Sequence, residues 1–220
     1  MHLNEDYKKA LEFFNAEKYR LAIKRFDKAV DANPDEFAPI YRRGICYFEL
    51  GETEEAHKNF TRAKELDPEN KNILLYSGET NLELGNYDEA IKDLGKAKEN
   101  FGLKMEAKAP LAKAYLERSN QHFSKMDVKA AEKDAVSAFE NDPELPEIWL
   151  QLGNLYAQME EFQQSLDYYK GGSQLAPEEG LFHYNMGVNH QKMGNDHAAQ
   201  RCFKVAEELG FDPSDTDNAF

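Results

Sequence analysis

Cysteine and long apolar runs are scarce in this chain, and each scarcity excludes a class of protein. Only Cys46 and Cys202 occur among 220 residues, too few thiols for a disulfide framework or a cysteine-rich metal site. No apolar run approaches the ~18 residues that a membrane-spanning helix needs. The first ten residues are polar and mixed in charge, unlike a secretory signal. We therefore expect a cytoplasmic protein without a membrane-inserted segment.

Positive charge is also in short supply. The chain has 27 Lys and Arg against 41 Asp and Glu, a net charge of −14. Such a chain repels a polyanion, so we expect no nucleic-acid partner. The excess is concentrated in residues 146–220, with 4 Lys and Arg against 12 Asp and Glu. This acidic end is compatible with a basic partner, but a solvated acidic surface is the simpler interpretation.

An internal period of 34 residues organises the rest of the sequence. Five columns of similar residues keep one phase over six units, and a single step is 41 residues long. Self-similarity at such a period is the signature of a repeat architecture. The first column is small, and it holds Ala10, Gly44, Gly78, Ala112, Gly153 and Gly187. The third column is mostly large, and it holds Phe26, Phe60, Leu94, Ala135, Tyr169 and Phe203.

Each period contains two amphipathic helices joined by a tight turn. Ala22, Phe26 and Ala29 fall on one face of a helix, and another helical stretch precedes each such segment. Prolines in the closing column stop the second helix of most units. Small residues permit close helix approach, and large ones fill the space between the helices. Three of the first helices end at residues suited to a left-handed conformation, namely Gly51, Gly85 and Gly194.

This pattern resembles the tetratricopeptide repeat (TPR), a helix-turn-helix unit of 34 residues. Residues 85–91 read GNYDEAI, similar to the family's inter-helix turn, and residues 149–177 match the family's pattern through a whole repeat. The resemblance implies an all-α, right-handed superhelical solenoid whose first helices line the concave face. We expect a single solenoid over 3–213 and a disordered acidic tail over 214–220. The repeats are predicted at 3–36, 37–70, 71–104, 105–145, 146–179 and 180–213.

The fourth unit departs from the pattern because it has seven extra residues. Seven residues are close to two helical turns, so a lengthened first helix keeps its facing; a loop around 119–126 is the alternative. Pro110 falls inside this helix by alignment. We therefore expect the helix to begin near Ala109, with Pro110 in its first turn, after a longer connection over 100–108. We place any joint in the stack here.

No residue pattern in the chain carries catalytic chemistry. Motifs for phosphate loops, dinucleotide binding, paired zinc ligands and nucleophile elbows are absent, and no carboxylate stands in an apolar setting typical of a raised pKa. His183, His190 and His197 are spaced by seven, whereas ligand pairs on a helix need a spacing of three or four. We expect a protein that is not an enzyme and has no catalytic residues, metal or cofactor.

The first helices present recurring apolar and aromatic side chains on the face turned away from the second helices. An apolar groove with a few cations suits an extended or helical peptide, although packing between repeats also explains the aromatic members. The candidates in the first three units are Tyr7, Lys8, Leu11, Phe14, Tyr41, Arg42, Ile45, Phe48, Leu75, Tyr76 and Leu82. In the last two units, Asn154 and Asn185 offer amides to a peptide backbone.

The function that the sequence favours is a scaffold that binds a peptide or protein segment in its concave groove. Self-association into a homo-oligomer is one alternative. A regulatory or substrate-recruiting arm of a larger enzyme is the other. Fold and function are only loosely linked, so the partner's identity stays open.

Overall fold

The computed structural model describes residues 5–215, except the side chains of Phe101 and Asp215. Twelve α-helices and one short 3-10 helix, Pro213–Asp215, form in this range, and none of its residues lies in a strand. The predicted all-α class is therefore confirmed. The helices are α1 (Glu5–Asn15), α2 (Tyr19–Ala32), α3 (Phe37–Glu49), α4 (Thr53–Leu66), α5 (Lys71–Glu83), α6 (Tyr87–Phe101), α7 (Lys104–Ser124), α8 (Val128–Asn141), α9 (Pro146–Gln158), α10 (Phe162–Leu175), α11 (Gly180–Lys192) and α12 (Asp196–Glu208).

The chain divides into two compact units, Met1–Ala114 and Tyr115–Phe220. Unit 1 holds α1 to α6 and the first half of α7, and unit 2 holds the remainder of α7 and α8 to α12. The division falls within the fourth predicted repeat, where the sequence places a joint. Of the predicted tail, Ser214 and Asp215 belong to the 3-10 helix, and residues 216–220 lie outside the described residues.

Close contact between the small and the large columns joins the two helices of a hairpin. A Cβ atom at Gly44 would lie 2.8 Å from Cε1 of Phe60, and one at Gly187 would lie 2.5 Å from Cε1 of Phe203. Real Cβ atoms do not approach other carbons so closely, so these positions require the absence of a side chain. Similar close approaches pair Gly78 with Leu94 and Gly153 with Tyr169.

Each hairpin turns through one residue in the left-handed conformation. The amide of Gly51 donates to the carbonyl of Phe48 and that of Glu52 to the carbonyl of Tyr47, both at 2.9 Å. This pair of hydrogen bonds is the Schellman motif, which satisfies carbonyls at a helix end. The three predicted glycines are confirmed in this role, but the other three turns use L-residues. The left-handed residues of the six hairpin turns are Glu17, Gly51, Gly85, Met126, Glu160 and Gly194.

The extra residues of the fourth repeat are helical. α7 has 21 residues and ends at Ser124, so three residues, 125–127, separate it from α8. The lengthened helix is the alternative that the structure supports. A loop of seven residues over this segment is therefore wrong.

The predicted start of α7 is wrong. α7 begins at Lys104, so Pro110 lies inside the helix, and the expected connection over 100–108 shrinks to Gly102 and Leu103. A proline inside a helix costs roughly 3 kcal/mol. The turn before it is helical, since the amide of Ala107 donates to the carbonyl of Leu103, and the full burial of Ala107 indicates that tertiary packing holds this turn.

Buried hydroxyl groups tie several helices of unit 2 together. The Ser165 hydroxyl on α10 donates to the carbonyl of Gly153 on α9 at 2.6 Å. The same oxygen accepts a hydrogen bond from Nδ2 of Asn189 on α11 at 2.7 Å. Ser119 on α7 likewise accepts from Nε2 of Gln151 on α9. These bonds satisfy polar groups that are costly to bury unpaired.

Candidate functional site

The predicted binding face of unit 1 is formed by α1, α3 and α5. Tyr41 and Phe48 on α3 both contact Tyr76 on α5, with ring centroids 6.1 and 5.5 Å apart. Tyr76 also stacks on Phe60 of α4 at 5.4 Å. Such ring pairs are worth roughly 0.5–1.5 kcal/mol beyond their buried area. The structure thus brings three predicted residues together in one aromatic cluster.

Arg42 is held on the same face between α1 and α3. Its Nε donates to the Tyr7 hydroxyl at 3.2 Å, and its guanidinium carbon lies 5.4 Å from the ring centroid of Phe14. The cation is attracted by the ring's negative face. Neither Nη atom of Arg42 has an acceptor among residues 5–215. The guanidinium is therefore positioned by its neighbours and keeps hydrogen-bond donors to spare.

The predicted residues of unit 1 differ in how much surface they offer. Tyr7 is 6% exposed and Ile45 is 8% exposed, so both serve packing between helices more than contact with a partner. Lys8 is exposed. The half-buried members are Leu11, Phe14, Tyr41, Arg42, Phe48, Leu75, Tyr76 and Leu82.

Glu79 on α5 is a half-buried carboxylate of this face, and its raised pKa was not predicted from the sequence. Burial, and then the like charge of Glu83, raises the pKa of Glu79. No cation within the described part of the chain pairs with it. The expectation that no carboxylate stands in an apolar setting is therefore wrong. A signal was present, since Glu79 shares its column with Leu11 and Ile45.

The two predicted asparagines belong to unit 2, and they differ in their bonding. Asn154 accepts a hydrogen bond from the Tyr169 hydroxyl on its Oδ1 at 2.7 Å. Asn185 is 3% exposed, and its buried Oδ1 has no donor among the described residues. A buried acceptor without a partner costs roughly 1–3 kcal/mol. Asn185 thus has unused bonding capacity, whereas one atom of Asn154 is already engaged.

Cys46, Cys202 and His190 sit in packed settings. Burial raises the pKa of the Cys46 thiol to about 12 and also raises that of half-buried Cys202. Burial, with the charges of Lys170 and Arg201, lowers the pKa of His190. Within 5–215, no three His, Cys, Asp or Glu side chains are grouped to hold a metal ion. No helix in that range combines the length and apolar character needed to cross a membrane.

Two family profiles match parts of the chain. The profile of anaphase-promoting complex (cyclosome) subunit 3 matches residues 15–97. The tetratricopeptide repeat profile matches residues 146–179, a range that coincides with the fifth predicted repeat. No curated protein sequence is significantly similar to the chain.

Solved structures with a similar fold are numerous. The structure of MamA superposes with a TM-score of 0.61 at 21% identity, over 84% of this chain and 97% of that one. YrrB, described as a TPR protein with an unusual peptide-binding site, gives 0.60 at 19%, over 87% and 93%. PilF of Pseudomonas aeruginosa gives 0.58 at 14%, over 93% and 90%. At these identities the likeness shows the fold, a helical repeat solenoid.

Proposed function

Because the chain is a tetratricopeptide-repeat protein, we propose that it is a non-enzymatic cytoplasmic scaffold that binds a peptide or protein segment on the α1–α3–α5 face. Proteins built from this repeat generally mediate protein–protein interaction and are generally non-catalytic. The physical basis is that stacked hairpins bury a continuous core between them while a long face stays open.

The observation that carries this proposal is the setting of Arg42. Packing on Phe14 and the bond to Tyr7 fix the guanidinium before any partner arrives. A fixed side chain loses little further entropy on binding, which is how preorganisation raises affinity. Its free Nη donors can receive a carboxylate or a backbone carbonyl of the partner.

Aromatic surface beside Arg42 supplies the apolar part of the site. Phe48 and Tyr76 are half-buried and contact each other edge to face, so each ring is held while part of it stays accessible. Large, rigid aromatic side chains next to arginine are typical of interface residues that dominate binding energy. Exposed Lys8 adds a second cation. We therefore expect a partner segment that combines an apolar anchor with an acidic group.

The amides of Asn154 and Asn185 form a second proposed contact, on unit 2. Asn185 is 3% exposed, so this contact requires its amide to turn outward; its Oδ1 has no donor within residues 5–215 that would hold it in place, and a backbone N–H of a bound segment would supply one. We expect Asn185→Ala to weaken partner binding in an affinity-capture assay while the far-UV circular dichroism of the chain stays unchanged.

Affinity capture with variants tests the proposal for unit 1. Arg42→Gln removes the charge from the α1–α3–α5 face, and Phe48→Leu removes a ring while keeping an apolar side chain. Arg62→Gln is the matched control, because Arg62 is an exposed arginine of α4 whose nitrogens already bond to Asp35 and Glu65. Captured proteins are identified by mass spectrometry, and the affinity of each is then measured with the purified chain.

The expected result is that Arg42→Gln weakens binding by about 10-fold or more, as for the loss of a hydrogen bond to a charged group. Phe48→Leu should also weaken it, and Arg62→Gln should leave it unchanged. Circular dichroism confirms that all three variants stay folded. Equal capture by wild type, Arg42→Gln and Phe48→Leu would show that this face serves packing alone.

A further inference from the structure

A cavity of about 640 Å³ lies in unit 2, between α11, α12 and the segment that follows α12. Its volume falls within the roughly 300–1,000 Å³ of typical ligand sites. Small residues line part of it. The rest of the lining is three aromatic residues, Tyr184, Phe203 and Phe211, and two acidic residues, Glu207 and Asp212. None of them is among the residues proposed above as contacts.

The three rings form a connected lining. The Tyr184 ring lies 4.8 Å from that of Phe211 and 5.5 Å from that of Phe203, centroid to centroid. All three side chains are half-buried, so each is fixed by packing and still reaches the cavity. Aromatic rings carry negative faces, and several rings around one space favour a cation there.

Two carboxylates add full negative charge to this lining. Oδ1 of Asp212 accepts hydrogen bonds from the amide and the hydroxyl of Ser214, at 2.8 and 2.7 Å. These bonds lower the pKa of Asp212 and hold its carboxylate in place. Glu207 on α12 has no cationic partner among residues 5–215, since neighbouring Lys204 pairs with Glu208 instead.

The cavity carries negative charge without a neutralising cation among residues 5–215. Residues 146–220 carry 4 Lys and Arg against 12 Asp and Glu, and no basic side chain of residues 5–215 lines the cavity. Like charges on a surface repel one another and attract an opposite charge from outside. Rings alone would suit any apolar group. Rings beside carboxylates that lack a cationic partner favour a cation over a neutral group.

We propose that this cavity binds the cationic side chain of an arginine or lysine presented by a partner protein. The alkyl stem packs against the rings, and the charged head reaches Glu207 and Asp212. Arginine should bind more tightly than lysine, because its planar guanidinium both stacks on rings and forks onto carboxylates. This site does not depend on the proposed function of the α1–α3–α5 face.

Titration of the full chain with short capped peptides tests the proposal. The probes are N-acetyl-Gly-Arg-Gly amide, the corresponding lysine peptide, and a citrulline peptide that keeps the shape of arginine without its charge. Free arginine is a further arm, which separates a peptide-borne side chain from a small molecule. Binding is followed by NMR through the aromatic resonances of Tyr184, Phe203 and Phe211.

We expect the arginine peptide to bind at least about 10-fold more tightly than the citrulline peptide, with an advantage that falls as salt is added. Glu207→Gln with Asp212→Asn should remove that advantage. Asp196→Asn is the matched control, because it neutralises an exposed carboxylate at the opposite end of α12, and it should preserve the advantage. Melting curves verify that each variant is folded. Glu207→Gln is also tested alone, because Glu207 is exposed and its replacement should not affect folding.

Three results would overturn the proposal. The first is equal affinity for the arginine and citrulline peptides. The second is an unchanged preference in Glu207→Gln and in the double variant. The third is a preference for free arginine over the peptide, which would indicate a small-molecule site in place of a protein-docking one.

Discussion

Replacing Met126 with glycine should stabilise the protein. Met126 occupies the left-handed position of the turn between α7 and α8, with φ of 61°. Its side chain is 68% exposed, so its removal sacrifices little burial. Glu160 holds the equivalent position between α9 and α10, with φ of 60°, and is also exposed. Both turns therefore carry strain that the glycines of three other hairpins avoid.

The magnitude follows from two opposing effects. An L-residue in the left-handed helical region costs roughly 1–2 kcal/mol. Glycine offsets roughly 0.5–1 kcal/mol of the strain relieved, because it loses more conformational freedom on folding. The net stabilisation is about 0.5–1 kcal/mol for each turn. No hydrogen bond or ion pair joins the two turns within residues 5–215, so the effects of Met126→Gly and Glu160→Gly should add.

Urea unfolding followed by circular dichroism measures the effect. Met126→Ala is the control, since it removes the same side chain and keeps the Cβ atom that causes the strain. The opposite change, Gly194→Ala, places a Cβ at a φ of 74° and should destabilise by about 1 kcal/mol. Equal unfolding midpoints for Met126→Gly and Met126→Ala would refute the reasoning.

Three further predictions concern buried charge, pH and thiols. Arg118→Ala should destabilise by about 3 kcal/mol in thermal melts, because Asp134, 5% exposed, would lose two bonds of 2.7 Å; a change under about 1 kcal/mol contradicts this. The raised pKa of Glu79 means that the native state binds its proton more tightly, so stability falls as pH rises above about 4. Glu79→Gln should therefore stabilise at pH 7 and confer no gain near pH 3, and an equal gain at both values counts against the assignment. A thiol reagent should modify Cys202 before buried Cys46, whose pKa is about 12, and the reverse order would be inconsistent with these burials.

Most of the fold could be predicted because its determinants repeat along the chain. The small side chain at Gly44 and the large one at Phe60 can be read directly from the sequence. Because both recur in phase from repeat to repeat, the sequence also indicates that the two columns pack against each other. The start of α7 could not be predicted in the same way. The proline rule applied to Pro110 is local, whereas the burial of Ala107 that overrides it is tertiary. The sequence therefore predicts regular packing better than it predicts exceptions.

The candidate site was less accessible to sequence reasoning. Repeat spacing places Phe14 and Arg42 on one face, but their contact depends on rotamers of two helices that the sequence does not encode locally. Spacing also cannot tell that Ile45 is buried while Phe48 remains partly open. Phe211 had a visible signal, because it stands in the closing column where four other units have proline.

The hydroxyl of Ser165 limits how far this protein can be treated as a set of interchangeable modules. One oxygen joins α9, α10 and α11, so the fifth hairpin is bonded to a side chain of the sixth. All five other units have alanine in that column. Grafting one of them in its place would leave the 2% exposed amide of Asn189 without its acceptor. Chimeras must therefore exchange these two adjacent hairpins together.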